Sequence, residues 1–380
     1  MGYPGMAVGL QIGSGPPLGL SRAMLLFARL SRLDSAFVVD HFQGFVPIAL
    51  WDRELSWAAA QFASPHEVFD YQVLLGYLAR SAGGLRLGVG VTEPVRRHPV
   101  LIAQAMMTLA HMTKHPPILG IGAGERENIE PYGLDFSQPV GRLEEALKII
   151  RLCFTSRGPF DFTGNHYRLD RAVMDLQPPK GRTPEIWIAG HGPRMLRLTG
   201  QYADGWYPTM VASPQEYKAK LDIIQAAARE AGRDPASITP VLHQFVAVAP
   251  SKREARAMLH TKVARFATLI GAPAGEWRKL GLEHPFGDQY RGYVDFIPEQ
   301  YDRETLDHAI AAVPPQLVGH GFIIGTLEEV TARLREFGQA GVRHVVISLS
   351  SAVFSRRAAI YGQLAIPRIA RSLRTGSGRK

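Results

Sequence analysis

Apolar runs and amphipathic stretches alternate along the whole chain. Largely apolar runs, which read as buried strands, fall at 6–13, 35–40, 85–91, 117–124, 185–190, 203–208, 242–250 and 343–350. Helical periodicity lies between them. "GRLEEALKIIRLCF" places Leu143, Leu147, Ile150 and Phe154 on one face, and "TLEEVTARLREFGQAG" opens on acids and closes on Gly. Ser64 and Glu67 have capping-box spacing and predict a helix running through Tyr77. Roughly eight strand–helix units predict an α/β fold, a (β/α)8 barrel, although an open doubly wound sheet gives a similar pattern.

Two segments interrupt the rhythm, at about 43–63 and 270–320, both aromatic-rich and punctuated by Pro. Connections of that length in a compact domain are usually lids or disordered, and their apolar content predicts lids over the barrel mouth. The chain then reads as one barrel domain over 1–380 with two insertions. Residues 374–380 read as a frayed tail.

Composition narrows the classes. Of 380 residues, 46% are hydrophobic and 20% charged, which suits a globular core. The single cysteine, Cys153, excludes a disulfide framework. No apolar run reaches membrane-span length and the N-terminus lacks a charged segment before its apolar residues, so the cytoplasm is the expected location. The net charge of +9 comes without a nucleic-acid motif or interleaved aromatics, so no nucleic-acid partner is expected.

Polar residues at strand ends carry the chemistry. The strand "SAFVV" stops on Asp40 and His41, Glu125 follows the fourth strand, and His191 follows the fifth. In a barrel all three sites gather on the C-terminal face. "LGIGAGE" offers Gly120, Gly122 and Gly124 but lacks the third fingerprint Gly, so the glycines read as a tight strand-to-helix turn. Gly190, His191 and Gly192 precede Pro193, a good first helical residue, and their free N–H groups suit a phosphate. His111 and His115 have metal spacing but no accompanying carboxylate, and no metal is expected.

The ordered set "VVDHFQ", "LGVGVTEPVRRHP", "LGIGAGERENIEPYG", "FTGNHYRL" and "IWIAGHGPRMLRLTGQYADGWYP" resembles the luciferase-like superfamily, in particular its branch that uses the deazaflavin coenzyme F420. The resemblance covers residues 6 to 210 closely and the remainder loosely. It implies a (β/α)8 barrel holding the deazaflavin ring in its mouth. By the same resemblance, Asp40 and His41 match an acid–histidine pair beside the ring, and Gly90 and Val91 a non-proline cis peptide behind it. Glu125 matches a strand-end acid and Asn128 a cofactor contact, while Ala189, Gly190, His191 and Gly192 match the segment along the phosphorylated arm. Phe45 stands where sugar-phosphate dehydrogenases of the branch carry Trp, and Gly15 where related enzymes carry an acid. Both departures favour an apolar substrate over a phosphosugar.

The resemblance therefore implies hydride transfer from reduced F420 to a ketone of a long-chain lipid, as in ketoreductases of cell-envelope lipid synthesis. His41 is the favoured proton donor, Glu125 the second candidate, and Asp40 a catalytic or orienting acid. Phe45, Trp51 and Trp57 are expected to line the substrate path, with Phe62 and Trp277 nearby. Peripheral contact with a membrane and pairing of two copies complete the expected partners. Two rivals stay open: an FMN-dependent monooxygenase on the same barrel, and a non-catalytic lipid-binding barrel.

Overall fold

The computed structural model describes residues 4–375. In chain order the strands are β1 (Ala7–Gln11), β2 (Ser35–Val38), β3 (Arg86–Thr92), β4 (Ile118–Ile121), β5 (Phe160–Thr163), β6 (Arg168–Ala172), β7 (Glu185–Ile188), β8 (Gly205–Trp206), β9 (Thr239–Val248), β10 (Phe322–Gly325) and β11 (His344–Leu349). Parallel pairing runs β11-β1-β2-β3-β4-β7-β8, and β9 closes the ring by pairing with both β8 and β11. The result is an eight-stranded (β/α)8 barrel, as the alternation of runs predicts. The open-sheet alternative fails because β9 has a partner on each edge.

Two features depart from the expected element list. β10, a four-residue strand, pairs in parallel with the C-terminal half of β9, from Phe322 beside Phe245 to Gly325 beside Val248. β5 and β6 form an antiparallel hairpin apart from the barrel sheet. β10 is apolar but only four residues long, and β5 and β6 are broken by Asp161, Arg168, Asp170 and Arg171, so none shows the longer apolar run that marks a central strand.

The helix expected to open at Ser64 begins instead at Tyr71 and runs to Ala79. Asp70 is its cap, with Oδ1 accepting from the N–H groups of Gln72 and Val73. Ser64 Oγ accepts only from His66 N at 3.1 Å, a local turn. The intervening residues are drawn elsewhere: Phe69 N donates to Ser14 O, and His66 Nδ1 accepts from Gly44 N. The later capping box is present, with Thr326 and Glu329 satisfying each other's backbone.

The main core lies between strands and surrounding helices, while Phe37, Ile118, Trp187, Tyr207, Val241 and Val346 fill the barrel interior. Burying each such large side chain contributes roughly 1.5–3 kcal/mol. The two interrupting segments share a separate core. Leu50 and Leu55 from the first pack with Phe266, Leu269, Trp277, Tyr290, Phe296 and Leu306 around the second. Trp277 is 1% exposed and belongs to this core, not to an open surface. The last helix, Arg356–Arg374, takes in the first residue of the expected tail, and 376–380 lie outside the described residues. Among the described residues no helix is long and apolar enough to cross a membrane.

Candidate active site

β2 ends at Val38, and the two polar residues that follow part company. Asp40, 3% exposed, turns toward the loop after β3. Its Oδ2 accepts from Thr92 Oγ1 at 2.6 Å and from Arg97 Nη1 at 2.8 Å, and lies 3.1 Å from Arg96 Nη2. Arg96 also donates to the Asp40 carbonyl at 2.8 Å. Arg97 continues to Asp70 at 2.7 Å, the residue that caps the helix Tyr71–Ala79. A buried carboxylate needs such partners to remain charged. Asp40 thereby fixes the loop that carries His41.

His41 turns the other way, toward a single 3-10 turn at Arg126–Asn128 after β4. Asn128 Oδ1 accepts the Phe42 backbone N–H at 2.7 Å, which orients the amide. Asn128 Nδ2 is therefore the donor, reaching Glu127 Oε1 at 2.6 Å and His41 Nδ1 at 3.1 Å. A nitrogen that accepts a hydrogen bond carries no proton, so neutral His41 holds its proton on Nε2. Nε2 lies 3.7 Å from Glu125 Oε2. Gln43 completes the loop by donating to the Glu127 carbonyl at 2.5 Å.

The two carboxyls differ in setting. Glu127 is wholly buried, and burial pushes its pKa up to about 8. Glu125 is also raised to about 8, by desolvation first and by the Glu127 charge second, with His41 opposing. Its side chain keeps 32% of its surface open, so water screening trims that rise until something covers it. His41, Glu125 and Glu127 offer atoms within 4.8 Å of one another, a spacing a divalent cation could span. The Asn128 amide argues for a proton instead, because it donates into both Glu127 and His41 where a cation would need lone pairs.

Beside this cluster β3 bulges. Val89 stands opposite Leu119 but Thr92 opposite Ile121, so β3 carries one residue more than β4. The peptide between Gly90 and Val91 is cis, and both residues are half-buried in a strand otherwise buried past Arg86. A Cβ on Gly90 would lie 2.6 Å from Tyr207 Oη, and one on Gly120 would lie 2.2 Å from the Val89 carbonyl. The glycines of "LGIGAG" thus make room for the bulge: Gly122 N bonds to Thr92 O, and its missing Cβ faces Val91 and Ala189. They were expected to serve a turn, a role left to Gly124, whose φ is +98°.

Ala189, Gly190, His191 and Gly192 run from β7 into the helix Pro193–Tyr202. Gly192 is its cap residue and no side chain takes the first amides. Trp206 Nε1 pins the Gly190 carbonyl at 2.9 Å, and exposed His191 lies 3.4 Å from Lys220 Nζ. An open backbone bulge beside an uncapped glycine segment is a cradle that fits a flat ring with a phosphorylated arm. Gly90 and Val91 would back the ring and Ala189–Gly192 would take the arm.

Phe45 packs edge-on to His41 with ring centroids 5.3 Å apart, and its far side meets Tyr293 at 4.6 Å. One interrupting segment therefore supplies Phe45 and the other Tyr293, and Arg126 N bonds to Val294 O to tie the second segment to the β4 loop. Trp51 donates to the Phe62 carbonyl at 2.9 Å. Trp57 lines a cavity of about 400 Å³ with Leu55, Val263, Val353 and Phe354. Of the three expected substrate contacts, the structure brings Phe45 alone against His41.

Residues 53–344 match the family model for luciferase-like monooxygenases. The chain belongs to that family. It is 38% identical over 341 residues to the phthiodiolone/phenolphthiodiolone dimycocerosates ketoreductase of Mycobacterium tuberculosis, covering 89% of each protein. The Mycobacterium kansasii protein of the same name is 37% identical over 362 residues, 94% of this chain and 98% of that one. Among solved structures, an F420-dependent secondary alcohol dehydrogenase in complex with an F420–acetone adduct superposes with a TM-score of 0.74 at 20% identity, covering 97% of this chain and 99% of that one. The chain is an oxidoreductase of the luciferase-like fold.

Glu127, Arg96, Tyr207 and Tyr293 were not singled out from sequence. Glu127 had one available signal, as the second of three acids in the short stretch "ERENIE", which a 3-10 turn folds back on itself.

Proposed function

We propose that this chain reduces a ketone of a long-chain lipid, of the phthiodiolone type, to the alcohol, with reduced coenzyme F420 as hydride source. The observation that carries the reading is the His41 tautomer, an Nε2–H with an acid on each side of the ring, just past β2, the strand that pairs with the bulged β3. The names of the mycobacterial relatives support the substrate class, and the Phe45–Tyr293 wall supports an apolar one.

When bound, the reduced deazaflavin supplies a hydride from its C5 to the carbonyl carbon. The protein's share is the proton. His41 Nε2–H hydrogen-bonds the carbonyl oxygen, stabilises the charge that develops there, and transfers its proton as the alcohol forms. Glu125, raised toward neutrality and still partly open, is the second donor in reach. Asp40 serves through position, holding the His41 loop by its arginines. An apolar substrate also favours work at a lipid surface, which a chain of net charge +9 suits.

The test is a titration of the purified protein with F420 and, separately, with FMN, followed by anaerobic mixing of the reduced deazaflavin complex with palmitone in detergent. The expected result is F420 binding and ketone-dependent return of the oxidised deazaflavin absorbance. Tight FMN binding with oxygen uptake, and no ketone-dependent oxidation, overturns it in favour of a monooxygenase.

A further inference from the structure

We propose that Glu127 is the proton store behind His41: its carboxyl protonates Nδ1 as Nε2 passes a proton to the substrate oxygen. This rests on the ketone-reduction reading above. It answers a difficulty in that reading, because a neutral imidazole that gives up its Nε2 proton alone would become an anion. Glu127 Oε1 lies 3.3 Å from His41 Nδ1, on the side of the ring opposite Glu125. The other Glu127 oxygen, Oε2, is buried and has no hydrogen-bond partner. An ionised carboxylate would leave that oxygen charged and unsolvated, whereas a protonated one keeps the group neutral.

The step balances. The Nε2–H bond breaks as the alcohol O–H forms, the Glu127 O–H breaks as Nδ1–H forms, and imidazole ends neutral in its other tautomer. Glu127 ends as a carboxylate that accepts from Asn128 Nδ2 and from the new Nδ1–H, both already placed to donate. Glu125, the only member of the trio with substantial exposure, is placed to return a proton from the mouth.

The surroundings agree. The charged and titratable groups facing Glu127 are Glu125 and Tyr132 from its own loop, His41 after β2, Arg96 and Glu93 after β3, and Tyr290 from the second interrupting segment. Arg96 is committed to Asp40 and Glu93 at 3.1 and 2.5 Å, so it leaves Glu127 without a direct cation. Glu127 touches His41 and not the substrate, and is a positioning residue.

Glu127→Gln keeps the acceptor for Asn128 and removes the proton. It is expected to bind F420 as the wild type does and to lose roughly a hundredfold in kcat. In a Glu125→Gln background, which removes the other group raised to about 8, it is expected to lose the fall in rate as pH rises through about 8. A kcat within about twofold of wild type, or an unchanged alkaline limb, overturns the proposal. Retention of one divalent ion per chain after dialysis would overturn it too. If Glu127→Gln does not fold, a proton inventory on single turnovers of the wild type decides. A bowed dependence on deuterium content supports two protons in flight, and a straight line overturns the relay. Failure of the ketone-reduction reading looks different, because wild-type protein would then consume no reduced deazaflavin with palmitone.

Discussion

Asn128 Nδ2 sits 3.1 Å from His41 Nδ1, and the Phe42 N–H on Oδ1 leaves that amide no freedom to turn round. One side chain thus sets the direction in which the candidate donor presents its proton. Asn128→Asp replaces the donor by an acceptor, so Nδ1 should take the proton and Nε2 should lose it. The expected loss in kcat is about a hundredfold or more, as for removal of a general acid. Nitrogen NMR of labelled His41 checks the tautomer independently of turnover, and a wild-type tautomer in the variant would refute the assignment.

The two candidate donors can be separated. His41→Ala and Glu125→Gln should each retain F420 binding while kcat falls by about a hundred- to ten-thousand-fold for the principal donor and less for the other. Near-normal turnover in both would remove the pair from the mechanism.

Asp40→Asn should act through stability. It strips the charge that Arg96 and Arg97 share in a buried setting and leaves Arg96 with Glu93 alone and Arg97 with Asp70 alone. Breaking such a network by removing one partner costs about 3–5 kcal/mol. Urea unfolding should show the loss, and a change of under about 1 kcal/mol would mean the network contributes little.

Gly90→Ala forces a methyl to within 2.6 Å of Tyr207 Oη, in a site closed by Phe37 on its other side. Overpacking of this kind costs about 1–3 kcal/mol, and the displaced backbone should weaken F420 binding as well. Removing the obstructing oxygen tests the cause: adding Tyr207→Phe should recover part of both losses, and no recovery would place the cause elsewhere.

Stability should also fall as pH rises from the ordinary carboxyl value of 4.5 toward about 8. Burial pushes Glu127 up to about 8 in the folded chain against an ordinary 4.5, and Glu125 is raised in the same direction, so the folded state binds more protons between those values. Their contribution is whole below the ordinary value and is lost as pH rises through about 8. Glu127→Gln should flatten this slope, recovering on the order of 2 kcal/mol at about pH 9 relative to wild type. Thermal midpoints across that range are the measurement.

The sequence by itself determined the strand–helix alternation and the residues at its strand ends, and closure into a barrel was decided by β9 pairing with both β8 and β11. Eight largely apolar runs separated by amphipathic helices leave few ways to bury both faces other than in a parallel sheet covered by helices. Asp40, His41 and Glu125 stand out because a polar side chain ending such a run has nowhere to go but the mouth. Tertiary structure decided what those residues do. Adjacent positions after a strand face apart, so Asp40 went to the arginines and His41 to the β4 loop, and only their partners show which is structural. Glu127 was illegible because burial, not residue type, makes an acid a proton store, and burial depends on segments more than 80 residues away in the chain. The same holds for Phe45 and Tyr293: each reads alone as one more aromatic in a long connection, and only the packing of one insertion on the other sets them as a wall beside His41.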